Sequence, residues 1–252
     1  MREYRQKYKS EIQQAGQMLK QCRYAVALAG AGISTPSGIP DFRTAESGLW
    51  AKHDPIVVAN ILAFQRRPQD FYAWVRSLVK IISQAQPNTA HLALAELERI
   101  GPLQAVITQN IDGLHTRSGS DTVCEVHGHV RELECLNCEK LEDSKLHLTK
   151  LIVDGTMPVC STCCEVLKPK VVLFGELLPL GILNSVQEVT RKSDVMIIAG
   201  SSLEVAPVNE LPWLAHNSQS QLIIVNFEST PIDHLADIII RDDAVKVLPA
   251  IV

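Results

Sequence analysis

The sequence predicts an α/β protein: a Rossmann-like parallel sheet with helices on both faces, plus a helical cover and a small inserted zinc-binding domain. Three observations predict this. Short apolar runs end in small or polar residues, helix-period segments separate those runs, and two C-x2-C pairs interrupt the alternation. With 252 residues, 46% hydrophobic and 21% charged, the chain has material for a core of ordinary size.

Residues 3–21 read as a polar-faced helix leading into the apolar run Tyr24–Ala29, which Gly30 closes. A run this short, flanked by helix-like sequence, has the pattern of a buried parallel strand. Similar runs recur at Gln104–Thr108, Val171–Phe174, Val195–Ala199, Gln221–Val225 and Asp237–Ile240. Helical periodicity appears between them at His91–Ile100, about Gly181–Lys192, and Asn209–Asn217. Strands alternating with helices imply a parallel sheet covered on both faces. Its ligand crevice is then expected at the carboxyl ends of the strands. The expected division is a dinucleotide-binding domain from 1–43, 91–128 and 169–252, a cofactor loop and helical module at 44–90, and a zinc-binding module at 129–168.

Composition excludes several function classes. A net charge of −4 argues against a nucleic-acid partner held by bulk electrostatics. The opening MREYRQKYKSEIQQAG holds no apolar h-region, and Glu3 and Glu11 interrupt the basic character of a transit peptide. No run approaches the roughly 20 apolar residues of a membrane span. The expectation is therefore a cytoplasmic protein with neither membrane nor nucleic-acid partner. In that compartment the seven cysteines stay reduced.

Four of those cysteines form two pairs, Cys135-Leu-Asn-Cys138 and Cys160-Ser-Thr-Cys163, separated by 21 residues. Such paired knuckles suit tetrahedral Zn2+, and four thiolates close the coordination sphere, so the ion is structural. Cys164 competes with Cys163 for the fourth place; x2 spacing suits a knuckle turn better. Cys22 and Cys124 read as buried small apolar residues.

The first strand runs into Gly30-Ala31-Gly32-Ile33-Ser34-Thr35-Pro36-Ser37-Gly38-Ile39-Pro40-Asp41-Phe42-Arg43. Glycines placed directly after a strand let backbone N–H groups approach a pyrophosphate at a helix N-terminus. This is not a full G-x-G-x-x-G, because Thr35 stands where the third glycine belongs. Further along, Thr108–His115 follows an apolar strand and gathers an amide pair, a carboxylate and an imidazole. A cluster of that kind suits ribose hydroxyls and a carboxamide. Histidine takes up a proton near neutral pH, and His115, His127 and His129 all compete for that role on sequence alone.

The GAGISTPSGIPDFR string and the TQNIDGLH string resemble the two signatures of the sirtuins. The resemblance continues through Val126-His127-Gly128, the cysteine pairs, Val171–Glu176, Gly200-Ser201-Ser202-Leu203 and Ile224-Val225-Asn226, over about residues 25–230. It is strongest to compact bacterial members of the family. The resemblance implies NAD as co-substrate and an activity of NAD-dependent protein-lysine deacetylation (deacylation), with nicotinamide released and the acyl group passed to ADP-ribose. It makes His127 the general base, with Asn110 orienting the ribose and the attacking oxygen. Asp112, with Ile111 and Ala31, falls in the nicotinamide pocket, and His115 becomes structural. NAD contacts are implied at Gly30, Ala31, Gly32, Thr35, Asp41, Phe42, Arg43, Gln109, Asn110, Ile111, Asp112, Gly200, Ser201, Ser202, Asn226, Glu228, Asp243 and Ala244. Phe42 would shield the reactive face, and Arg43 would hold the loop and phosphates.

The implied partner is an acyl-lysine protein bound as an extended strand along Val172–Glu176. Val172, Phe174, Gly175, Glu176 and Val205 are the implied substrate contacts, and the assembly is expected to be a monomer or weak oligomer. Sirtuins preferring acidic acyl groups carry a Tyr-x-x-Arg pair, whereas this chain offers Tyr72 with Val75 in the Arg position and Arg76 one place later. One helical step turns a side chain by about 100°, so uncharged acyl groups are expected over succinyl or malonyl. Ala29 also departs from the Thr of many relatives. Two alternatives stand beside deacylation: mono-ADP-ribosyl transfer at the same site, and a non-catalytic NAD sensor. The missing third glycine and the absence of a recognisable hydride-acceptor site speak against a dehydrogenase.

Overall fold

The computed structural model describes residues 7–41 and 55–252. In chain order the elements are α1 (Lys9–Gln21), β1 (Ala25–Ala29), α2 (Pro55–Val58), α3 (Ile61–Arg66), α4 (Pro68–Gln84), α5 (Thr89–Ile100), β2 (Leu103–Thr108), α6 (Leu114–Arg117) and β3 (Val123–Glu125). There follow β4 (Gly128–Cys135), β5 (Leu141–Asp143), α7 (Ser144–Asp154), β6 (Leu167–Val171), α8 (Leu180–Lys192), β7 (Val195–Ala199), α9 (Leu211–Asn217), β8 (Gln221–Val225), β9 (Ile238–Ile240) and α10 (Ala244–Ile251).

Six strands form one parallel sheet in the order β3-β2-β1-β7-β8-β9. The order reverses between β1 and β7, and in an open α/β sheet that reversal opens a crevice at the strands' carboxyl ends. Period-two burial explains how helices cover both faces. Ala25, Ala27 and Ala29 of β1 join Ile197, Val225 and Leu94 in one core, while Val26 and Leu28 join Ile198, Ile224 and Leu211 in the other. The central strands are thus almost wholly apolar, as the sequence runs suggested, with polar residues only near their ends. Asn88 starts α5 with a reciprocal capping box to His91, and Gly101 ends it in the left-handed conformation at φ 116°.

One predicted strand sits elsewhere. The run Val171–Phe174 is not a strand of the parallel sheet. The strand there is β6, Leu167–Val171, and it pairs antiparallel with β4 in a separate sheet of order β5-β4-β6. A short apolar run signals burial on both sides without naming the partner. Here the burial comes from a third core, in which Leu133, Leu167, Val171 and Leu173 pack with Phe71, Tyr72, Val75 and Leu78 of α4. The edge place beside β2 goes instead to β3, whose three half-buried residues gave the sequence no strand pattern.

The cysteine-bearing stretch and the helices of 61–84 therefore share one hydrophobic core. Among the described residues no helix is long and apolar enough to cross a membrane.

Candidate active site

The site grows from the carboxyl ends of β1, β2, β7 and β8. Gly30 N–H donates to Ala199 O at 3.0 Å, Gln109 N–H to Ala29 O at 3.0 Å, and Gly200 N–H to Val225 O at 3.0 Å. These bonds carry the strand pairing one residue past each strand and fix the loops that leave it. The glycines have a use the sequence did not reveal. A Cβ on Gly30 would lie 2.6 Å from Gly200 O, one on Gly32 2.9 Å from Gly200 Cα, and one on Gly200 2.4 Å from Ile33 N. Gly200 also has φ 60°. The three glycines let the β1 and β7 loops touch backbone to backbone at the strand-order reversal. Leu203, just beyond, holds φ 56°, a sparsely populated conformation for a residue with a side chain.

At the end of β2, polar groups converge in a closed account of donors. Asn110 is buried, and its amide nitrogen donates to Gly30 O at 3.0 Å and to Ser34 Oγ at 3.1 Å. Ser34 Oγ donates to Asp112 Oδ2 at 2.7 Å, and Leu114 N–H donates to Asp112 Oδ1 at 2.8 Å. His91 Nε2 lies 3.4 Å from Ser34 Oγ, while its Nδ1 accepts the Asn88 N–H at 3.3 Å. With Nδ1 accepting, Nε2 carries the proton and donates to Ser34. Both amide protons of Asn110 are then committed, so its oxygen is what it offers a ligand. Burial raises the Asp112 pKa, against the lowering effect of its two hydrogen bonds.

His127 is half-buried, with Nδ1 3.0 Å from Gln109 O. A carbonyl only accepts, so Nδ1 bears the proton and the neutral ring presents Nε2 as a base. Burial lowers the His127 pKa, so the ring is neutral around pH 7. His115 is different: it is buried, its ring centroid 4.8 Å from that of His91 at a tilt of 57°, and neither ring nitrogen has a hydrogen-bond partner. Desolvation holds it neutral with a pKa near 3. His129 sits half-buried 4.0 Å from Glu132.

Ala31, Ile111 and Asp112 line one small cleft with Ser34, Ile39 and Asn110. A larger cleft of about 370 Å3 opens at the other end of the strands, near Cys22 and Pro102, away from these converging polar groups. Gln109 reaches across the crevice to Ser201, Nε2 to Oγ at 2.9 Å. Thr35 Oγ1 donates to Gly32 O at 3.1 Å, and Asp41 ends the described segment. Phe42 and Arg43 lie outside the described residues. Ser202 is exposed at the β7 bend, with Val205 half-buried beyond it. Asn226 Nδ2 donates to Glu228 O at 3.0 Å, and the Asp243 carboxylate caps α10 through Val245 N–H at 3.1 Å, with Ala244 buried behind it.

After β6 the chain is held by backbone bonds on both sides. Val172 N–H donates to His127 O at 2.9 Å, Phe174 N–H to Ala59 O at 2.9 Å, and Phe174 O accepts Ile61 N–H at 3.0 Å. Gly175 turns the chain at φ 87°, and Glu176 Oε2 accepts the Leu173 N–H at 2.7 Å. Tyr72 is buried with its hydroxyl on Leu167 O. Arg76 donates to Ile152 O at 2.9 Å and Val153 O at 3.2 Å, which points it at the end of α7.

The Sγ atoms of Cys135, Cys138, Cys160 and Cys163 all lie within 4.8 Å of one another. Separations of 3.4 Å for Cys135–Cys163 and 3.6 Å for Cys138–Cys160 approach the roughly 3.8 Å expected around tetrahedral Zn2+ with 2.3 Å bonds. The four thiols fit the ion. Cys164 is exposed outside the cluster, at φ 60°. Cys22 and Cys124 are half-buried rather than buried.

Sequence reasoning missed two contributors, Ser34 and His91. The hydroxyl of Ser34 lay in view within the glycine string, but its bonds to both Asn110 and Asp112 depend on the fold. His91 was signalled only by the Asn88-x-x-His91 spacing of a capping box.

Comparison with known proteins agrees with this geometry. The Sir2 family model matches residues 30–207. An NAD-dependent protein deacetylase of Sulfurisphaera tokodaii is 44% identical, covering 96% of this chain and 95% of that protein. NAD-dependent protein deacylase 2 of Archaeoglobus fulgidus is 44% identical over the same shares, 96% and 95%. A Sir2 enzyme structure superposes with a TM-score of 0.90 at 44% identity, covering 97% of each chain. Sir2Tm bound to a propionylated peptide gives a TM-score of 0.85 at 39% identity, covering 96% of each. The family model spans most of the chain and these relatives match it over almost its whole length, so the chain belongs to the Sir2, or sirtuin, family.

Proposed function

We propose that the chain is an NAD-dependent protein-lysine deacetylase in which His127, Asn110 and Asp112 carry the chemistry. The observation that carries this reading is the pinned His127 ring, neutral and with Nε2 unprotonated, beside the buried Asn110–Ser34–Asp112 network at the strand-order reversal. Water, NAD and the acyl-lysine are consumed; nicotinamide, lysine and O-acyl-ADP-ribose leave. The acyl oxygen attacks the ribose carbon as the nicotinamide bond breaks. His127 Nε2 then takes a proton from a ribose hydroxyl, whose oxygen attacks the imidate carbon. Water adds as the lysine amine leaves, and the acyl group stays on the ribose. Asn110 offers its amide oxygen to the ribose, and Asp112 with Ile111 and Ala31 receives the carboxamide. The NAD contacts extend along the strand ends through Gln109, Ser201, Ser202, Asn226 and Glu228. The zinc-bound cysteine module supports these groups and takes no part in the reaction.

The acyl-lysine protein lies along Val172–Glu176 as an added strand, with Val172, Phe174 and Val205 about the acyl chain. Arg76 is committed to the carbonyls of α7 and Tyr72 to Leu167 O, which supports acetyl and other uncharged acyl groups over succinyl or malonyl. Incubation with NAD and an acetyl-lysine peptide, following nicotinamide and peptide mass together, tests the reading. Equal amounts of nicotinamide and deacetylated peptide are expected. Nicotinamide release with an ADP-ribosylated protein product would replace deacetylation by transfer, and NAD binding without turnover would leave a sensor.

A further inference from the structure

Lys168 is the only buried lysine or arginine among the described residues, with its side chain 2% exposed. A buried ammonium needs all three protons satisfied. Its Nζ lies 2.8 Å from Glu134 Oε1, 2.9 Å from Val171 O and 3.2 Å from Glu176 Oε2, with Pro169 O at 3.4 Å. Each of the first three partners leads to a different part of the molecule. Glu134 lies on β4, one residue before Cys135 of the cysteine cluster. Val171 precedes Val172, whose N–H is bound to the carbonyl of His127. Glu176 closes the 173–176 turn, because the same Oε2 accepts the Leu173 N–H.

We propose that Lys168 is a positioning residue for the acyl-peptide: its ammonium locks the Val171–Glu176 edge to the cysteine module and sets that edge in register beside His127. This rests on the reading of that edge as the peptide site. The physical case is the charge count. Two carboxylates face one ammonium, so removing the ammonium leaves Glu134 and Glu176 repelling each other across a buried gap. Glu176 then swings away and the turn bearing Phe174 and Gly175 loosens. A residue that merely filled core volume at this place would need no charge.

Steady-state kinetics of Lys168→Met, Glu176→Gln and the double variant test this, with acetyl-lysine peptide and NAD varied separately. Peptide KM is expected to rise about tenfold in each, with kcat and the KM for NAD within about twofold of wild type. The double variant should be no worse than the worse single, since both break one contact. Lys168→Arg, which keeps the charge, should recover part of the peptide KM. An unchanged peptide KM in zinc-replete Lys168→Met overturns the proposal, as does a parallel loss in kcat and both KM values. Should Lys168→Met fail to fold, zinc-replete Glu134→Gln, which breaks the same lock away from the peptide edge, decides by the same KM split. Phe174→Ala separates the two levels: peptide KM indifferent to it sinks the edge reading, while sensitivity to it with indifference at Lys168 sinks only the positioning role.

Discussion

The parallel sheet and the composite body of α3 and α4 with the cysteine module are built on different principles. In the sheet the central strands are buried on both faces, their neighbours follow from alternation, and the site falls where strand order reverses. The composite body draws its core from segments about 60 to 100 residues apart, Phe71–Val79 meeting Leu133–Leu173, and adds a four-thiol cluster. A small antiparallel sheet with little apolar surface of its own needs such help. On the proposed reading the strand ends of the sheet carry the chemistry, and the composite body supplies the segment that runs past His127.

The hardest test of this division is to remove the metal. Cys160→Ser, or chelation, should collapse the composite body and abolish deacetylation, while the six-stranded sheet survives. Structural zinc contributes on the order of 10 kcal/mol or more in small sites. Limited proteolysis should cut first between 136 and 166, with far-UV dichroism largely kept; a single cooperative loss of both bodies would break the comparison.

The next effect lies wholly in the site. His127→Ala should lower kcat by about 10²–10⁴-fold at unchanged melting temperature. In wild type the acid limb of kcat/KM should titrate below the ordinary histidine value of 6.5, because burial lowers the His127 pKa. A limb above that value, or an active His127→Ala, would take the base role from this residue.

A smaller effect reads the sheet body alone. His91 and His115 are buried neutral, with pKa values held near 4 and 3 by desolvation against an ordinary 6.5. The unfolded chain therefore binds more protons than the folded one below pH 6.5, so the stability they contribute is present above 6.5 and is lost as pH falls toward 4. Between pH 7 and 5 each should cost on the order of 2 kcal/mol. Denaturant melts across that range measure it, and a His115→Phe variant that flattens the dependence would assign it to the pair.

The smallest effect sharpens the composite body. Arg76→Ala should cost about 1 kcal/mol from lost bonds to the end of α7. The preference for acetyl over succinyl peptide should not move; a shift toward succinyl would place Arg76 in the acyl pocket after all.

Much of this molecule was legible in advance. Tyr24–Ala29, Gln104–Thr108, Val195–Ala199 and Gln221–Val225 read as parallel strands because a doubly covered strand is a near-continuous apolar run. The cysteine spacing predicted the four-thiol set, and the structure gathers Cys163 rather than Cys164, because the knuckle turn brings the third residue back and leaves the fourth outside. Asn110 and Asp112 were visible as polar residues after an apolar strand.

What the sequence by itself determined was local: burial periodicity, the turn residues at strand ends and ligand spacing, each set by neighbours a few residues away. The tertiary structure alone decided the rest. It moved Val171 from the parallel sheet to β6, gave Gly30, Gly32 and Gly200 one another as reasons to be glycine, and bound Ser34 and His91 into the Asn110–Asp112 network. It also set one buried ammonium among Glu134, Val171 and Glu176. Burial of a residue is written in its own side chain, but the partner that satisfies it arrives from far along the chain, and only the fold says which one.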